Sequence, residues 1–361
     1  MITKEPVFIL GTGRCGSTLI SNMLNASDKV LSISEFFSFV TDLGNLTKEF
    51  FAPEEIDTME FWKKISTCYP IQNIMLRYDL AMSEVLYPDF STSKFSYQTG
   101  VPAISQVVLP HITPHYDALY EEIEVYISSQ GSASVHQHYA KLFNWLKERF
   151  GKEVWVERSG GGLRVVQQLF EAFPNAKFVH LIRDGRDCAM SMSKHRGFRM
   201  VLLVFKLVEF LGVNPFYSDD RTNIKNLPNE LRDLLPENFN ATVFENCQIP
   251  PSLYAHYWSH EIINGLSVLD QVPQHQLFTM WYEDLIENPM TVINDLMSFI
   301  DPSFINTPWL NKARSMVSVN KSSWKHLPDH EQKELNEACA PGFEALKQYN
   351  LLRAGLDSVV K

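Results

Sequence analysis

A glycine-rich turn lies near the start of the chain, between an apolar run and a helical segment: Val7-Phe8-Ile9-Leu10-Gly11-Thr12-Gly13-Arg14-Cys15-Gly16-Ser17-Thr18-Leu19-Ile20. Glycines at this spacing let the backbone turn tightly and aim successive N–H groups into one concavity. The following helix N-terminus adds partial positive charge, so the turn suits an anion. Ser17 and Thr18 add hydroxyl donors. Gly11, Thr12, Gly13, Arg14, Cys15, Gly16, Ser17 and Thr18 therefore read as a phosphate-binding loop. Against the triphosphatase pattern G-x-x-x-x-G-K-[ST], Gly11, Gly16 and Thr18 match, but Ser17 stands where the lysine belongs. The clamp for a γ-phosphate is missing. Arg14 supplies a forked cation inside the loop instead, suited to a 5′-phosphate and its bridging oxygen. The predicted ligand is a nucleotide without a γ-phosphate.

A second anion-binding candidate runs from Phe173 to Ser193. A strand over Lys177–Ile182 delivers Arg183 to its carboxyl end, and Ser191 follows eight residues later in the next helix. Taken with the first loop, this segment closely resembles the 3′-phosphate-binding segment of sulfotransferases that use 3′-phosphoadenosine 5′-phosphosulfate (PAPS). The resemblance implies that Gly11–Leu19 is the 5′-phosphosulfate loop, with Arg183 and Ser191 holding the 3′-phosphate. Three further stretches agree. Trp155-Val156-Glu157-Arg158-Ser159 resembles the lysine-bearing strand end of tyrosylprotein sulfotransferases, which makes Arg158 a second cation for the transition state. Trp281-Tyr282-Glu283-Asp284-Leu285 resembles the family's Y-E-D-L strand end, whose tyrosine, here Tyr282, lies near the adenine. Ser322-Ser323-Trp324-Lys325 resembles the C-terminal loop that closes over PAPS with a basic residue, here Lys325. There are departures. Arg14 stands where cytosolic members carry lysine, a spelling shared with tyrosylprotein and several bacterial members. Arg158 also replaces lysine, and the C-terminal loop lacks the family's glycine-rich spelling.

Sulfuryl transfer by in-line displacement parallels phosphoryl transfer: the acceptor needs a base and the departing phosphate needs positive charge. Glu35, in Leu31-Ser32-Ile33-Ser34-Glu35-Phe36-Phe37, comes 21 residues after Arg14. That spacing resembles the catalytic glutamate of tyrosylprotein and some bacterial sulfotransferases, and a carboxylate beside two phenylalanines in a partly dry cleft suits a base. The predicted catalytic set is Arg14, Glu35 and Arg158, with PAPS as co-substrate and no metal. His195 is the alternative base. His256 and His260 share a helix face but lack the H-E-x-x-H order of a zinc site. A nucleotide kinase or triphosphatase, and a non-catalytic protein that binds the product nucleotide PAP, are the competing readings.

Four short β-type runs, Val7–Leu10, Val154–Glu157, Lys177–Ile182 and Leu277–Tyr282, must position these residues, and each is followed by a helical pattern. Apolar runs without strict alternation suit strands buried on both faces, so the predicted fold is α/β: a parallel sheet flanked by helices, similar to phosphate-loop nucleotide hydrolases. Ligands then belong at the strands' carboxyl ends. Two excursions interrupt the pattern, a helical insertion over about 36–150 and a lid or acceptor-pocket insertion over about 196–255. The whole chain, 1–361, reads as one sulfotransferase domain.

With 361 residues, 45% of them hydrophobic, the chain can bury a large core, and a net charge of −10 argues against a nucleic-acid partner. Met1 to Leu19 lacks the long apolar region of a signal peptide, and Phe198–Val213 falls short of the ~20 residues of a membrane span. The five cysteines are scattered and form no C-x-x-C pair, which points to a reducing, cytoplasmic setting. The expected partner is a small-molecule, saccharide or lipid acceptor, whose pocket would be built from the two insertions.

Overall fold

The computed structural model describes residues 4–318 and 324–359, with side chains described as far as residue 350. Five parallel strands form the central sheet: β1 (Val7–Leu10), β2 (Val30–Ser34), β3 (Val154–Arg158), β4 (Lys177–Ile182) and β5 (Leu277–Trp281). Their spatial order is β2-β3-β1-β4-β5. The first strand sits in the middle, with Phe8 opposite Glu157 on one side and Phe178 on the other. All four of its residues are buried, as the unbroken Val-Phe-Ile-Leu run requires of a strand covered on both faces.

The register brings the carboxyl ends into one row. Ser34 pairs with Arg158, Leu10 with His180, and Ile182 with Trp281. The next residues along the chain are Glu35, Ser159, Gly11, Arg183 and Tyr282. The sheet alone therefore gathers residues that are far apart in sequence along one edge.

β2 was absent from the expected strands. Its serines break the apolar run, but Ser32 is buried and bonded to Ser21 at 2.9 Å and to His111 at 3.2 Å. A paired hydroxyl can enter the interior at little cost.

The excursion after β2 holds helices and one short antiparallel ribbon, Glu55–Ile56 with Ala133–Ser134. The later excursion opens with the helix Arg196–Leu211 and continues through short turns and helices to Asn246. The helix's inward residues, among them Met200, Leu203 and Leu207, pack with Ile71, Met75 and Leu80 of the first excursion in a core separate from the one around the sheet. Among the described residues, no helix is long and apolar enough to cross a membrane.

Candidate active site

A cavity of about 570 Å³ opens over the carboxyl ends of the strands. That lies within the usual range for small-molecule sites, roughly 300–1,000 Å³. Its floor is the glycine-rich loop. Gly13, Arg14 and Gly16 have left-handed backbones, with φ of 83°, 55° and 94°. For Arg14 this conformation costs energy that the surrounding fold must supply, a pattern that clusters at functional sites. A side chain on Gly13 would run into the Phe198 ring, and one on Gly16 into the Tyr282 ring, at 2.4 Å in both cases. Both loop glycines are therefore required twice, for φ and for space.

Gly13, Arg14, Gly16, Ser17 and Thr18 line the cavity. Gly11, Thr12 and Cys15 are buried beneath it and shape the loop from below.

The second anion segment meets the first directly. Arg183 donates from an Nη to the Arg14 carbonyl at 3.0 Å, and its guanidinium lies 4.6 Å from the centre of the Tyr282 ring. Arg14 in turn donates from Nε to Ser191 Oγ at 3.1 Å. Arg183, Ser191 and Tyr282 all line the cavity. Asp184 caps the helix Gly185–Ser193 and pairs with Arg186, whose guanidinium lies 4.0 Å from the centre of the Trp324 ring.

Glu35 follows β2 with φ of 61° and lines the cavity wall. One carboxylate oxygen accepts from the Gly160 N–H at 2.8 Å; the other pairs with the Arg158 guanidinium, which also donates to Ser34 Oγ at 2.7 Å. Arg158 is 2% exposed and does not line the cavity. It is engaged by Glu35 rather than aimed at a ligand. Beside it, burial pushes the Glu157 carboxyl up to about 8, against hydrogen bonds from Ser159 and the Phe37 N–H. Lys325 is exposed and lies outside the cavity; Ser322 and Ser323 fall outside the described residues.

Several cavity residues carry no sequence motif. Glu84, from the first excursion, forms an ion pair with Arg14 at 2.6 Å and binds His195 Nε2 at 2.7 Å. Burial opposes its ionisation, but the His195 hydrogen bond and the Arg14 charge outweigh that and hold its carboxyl at about 2. His195 caps the helix Arg196–Leu211 by accepting from the Phe198 N–H. Arg164 lines the opposite wall, where its guanidinium meets the Tyr257 hydroxyl and pairs with Glu261 at 3.6 Å. The Gly160-Gly161-Gly162 run ahead of Arg164 was the available signal for that wall. Glu84 had none. Among the described residues, no group of three or more His, Cys, Asp or Glu side chains could hold a metal ion.

Two sulfotransferase family models match the chain, the "Sulfotransferase family" over residues 6–202 and the "Sulfotransferase domain" over residues 162–342. The chain belongs to the sulfotransferase family. It is thus an enzyme of the PAPS-dependent class, and the kinase reading falls away. No curated protein sequence matches this sulfotransferase. Among solved structures it is similar to the sulfotransferase domain from the curacin biosynthetic pathway, at 15% identity and a TM-score of 0.48 over 96% of this chain and 98% of that one. It is also similar to the sulfotransferase domain of the Synechococcus PCC 7002 olefin synthase, at 13% identity and a TM-score of 0.45 over 97% of each. A retinol dehydratase in complex with androsterone and the inactive cofactor PAP aligns at 10% identity and a TM-score of 0.29, over 93% of this chain and 80% of that one.

Proposed function

We propose that this cavity moves the sulfuryl group of PAPS onto a hydroxyl of a small molecule, saccharide or lipid, without a metal. The observation that carries the reading is the direct contact between the two anion segments, through the Arg183 to Arg14 carbonyl bond and the Arg14 to Ser191 bond, beside the Glu35 carboxylate. On this reading the loop Gly11–Thr18 binds the 5′-phosphosulfate, and Arg183 and Ser191 bind the 3′-phosphate. Tyr282 lies by the nucleotide. Lys325, outside the cavity, would need a closing movement to reach it.

In the reaction the acceptor oxygen attacks sulfur, the bond from sulfur to the 5′-phosphate oxygen breaks, and Glu35 takes the hydroxyl proton. Arg14 meets the phosphate oxygen as it gains charge, the differential interaction that lowers a barrier. Arg158 is then a positioning residue: its buried guanidinium and the Gly160 N–H fix the Glu35 carboxylate toward the cavity. Phe37, Phe39, Leu43, Met82, Phe198 and Val201 give the acceptor end an apolar lining, which suits an apolar body bearing one hydroxyl. The same reading takes the chain as one domain with 196–255 as part of the acceptor wall, in a cytoplasmic setting that suits its five unpaired cysteines.

Glu35→Gln tests the base. Turnover on an aliphatic alcohol is expected to fall roughly 10²–10⁴-fold with PAP affinity nearly unchanged. Because glutamine leaves the buried Arg158 charge uncompensated, the double variant Glu35→Gln, Arg158→Met is expected to recover stability but not turnover. Near-wild-type turnover of Glu35→Gln would move the base to another residue, with His195 first.

A further inference from the structure

Glu84 holds the cation that the donor needs. Its Oε1 lies 2.6 Å from an Arg14 Nη, and its Oε2 is shared between His195 Nε2 at 2.7 Å and Ser83 Oγ at 3.0 Å. All of this happens inside the cavity, which both Glu84 and Arg14 line. The carboxylate is largely buried, with 14% of its side chain exposed against 29% for Arg14, so water screens the pair only in part.

We propose that Glu84 occupies Arg14 in place of the donor's anionic group and is exchanged for it when the nucleotide binds, so that Glu84 sets donor affinity. This rests on the assignment of Arg14 to the 5′-phosphosulfate. A second anion on the same guanidinium would stand against the Glu84 charge, and like charges at such distances repel strongly in a partly dry site. Glu84 has a partner to fall back on, because His195 already binds its other oxygen. The turn that carries it is irregular: Val85 N–H donates to the Met82 carbonyl at 3.0 Å, with no strand or helix to hold the carboxylate rigidly. Met82 packs on Gly197, where a Cβ would come within 2.5 Å of its sulfur. The turn is thus anchored through Met82 while the Glu84 side chain can change partners.

A contact that must be broken before binding reduces the apparent affinity by the fraction of molecules free of it. Isothermal calorimetry with PAP, 5′-AMP, 3′-AMP and adenosine on the wild type and Glu84→Gln reads this directly. PAP and 5′-AMP are expected to bind roughly tenfold tighter to the variant, with 3′-AMP and adenosine unchanged. The gain should vanish in an Arg14→Ala background. Glu84→Asp, one methylene short of Arg14, should move affinity in the same direction if the glutamine variant folds poorly. Unchanged or weaker PAP binding to a folded variant overturns the exchange and makes Glu84 a support for Arg14. Tightening of PAP and 3′-AMP with 5′-AMP unchanged keeps the exchange but overturns the placing of the 5′-phosphate on Arg14.

Discussion

Arg183 makes two contacts in the structure, and comparing two ligands on one variant separates a phosphate role from support of the loop. One Nη supports the phosphate loop through the Arg14 carbonyl, and the guanidinium face rests on Tyr282. If its main task is the 3′-phosphate, Arg183→Ala should weaken PAP binding by about 2–3 kcal/mol, the scale of a charge-assisted hydrogen bond, and leave adenosine nearly untouched. Calorimetry on both ligands decides this, and equal losses would mean that Arg183 serves the loop's shape. Arg14 and Arg183 were expected from the apolar runs that precede them and Glu35 from its spacing of 21 residues after Arg14, and the structure brings all three to the cavity. Pairings were not legible in the sequence. Arg158 has the same residue type whether it faces a ligand or Glu35, and only the register of β2 on β3 sets Ser34 beside it. Glu84 lies 70 residues from Arg14 in a segment without periodicity, so no spacing announces their contact.

At the scale of elements, the loop between β1 and the helix Ser17–Asn25 depends on glycines for reasons that can be separated by substitution. Gly16→Ala must hold an alanine at φ of 94° with its methyl in the Tyr282 ring. The left-handed backbone costs about 1–2 kcal/mol and the overpacking about 1–3 kcal/mol. A stability loss of about 2–5 kcal/mol in urea unfolding is therefore expected, with PAP affinity reduced as well. A fully stable variant would mean that the loop can relax away from Tyr282. Four of the five strands were readable as apolar runs. β2 escaped because its buried serines are satisfied only after folding, Ser32 by Ser21 and His111 and Ser34 by Arg158.

At the scale of the whole molecule, the proposed function assigns the donor to the carboxyl ends of the sheet and the acceptor to walls supplied by the two insertions. The insertions share a core of their own and between them provide Met82, Glu84, Phe198 and Val201 to the cavity. The donor was readable because the phosphate loop and the Arg183 segment carry motifs, whereas the cavity walls from the two insertions carry none. The most direct test of the account is to incubate the enzyme with sulfur-labelled PAPS and a panel of apolar alcohols and phenols, with and without EDTA, and to follow label transfer and PAP release. Transfer to a hydroxyl at the same rate in both conditions, lost in Arg14→Ala, is the expected result. Arg14 and the loop N–H groups would then supply the charge that Mg²⁺ supplies in kinases. Label that moves only when Mg²⁺ is restored after EDTA, or PAP release that survives loss of Arg14, would contradict it.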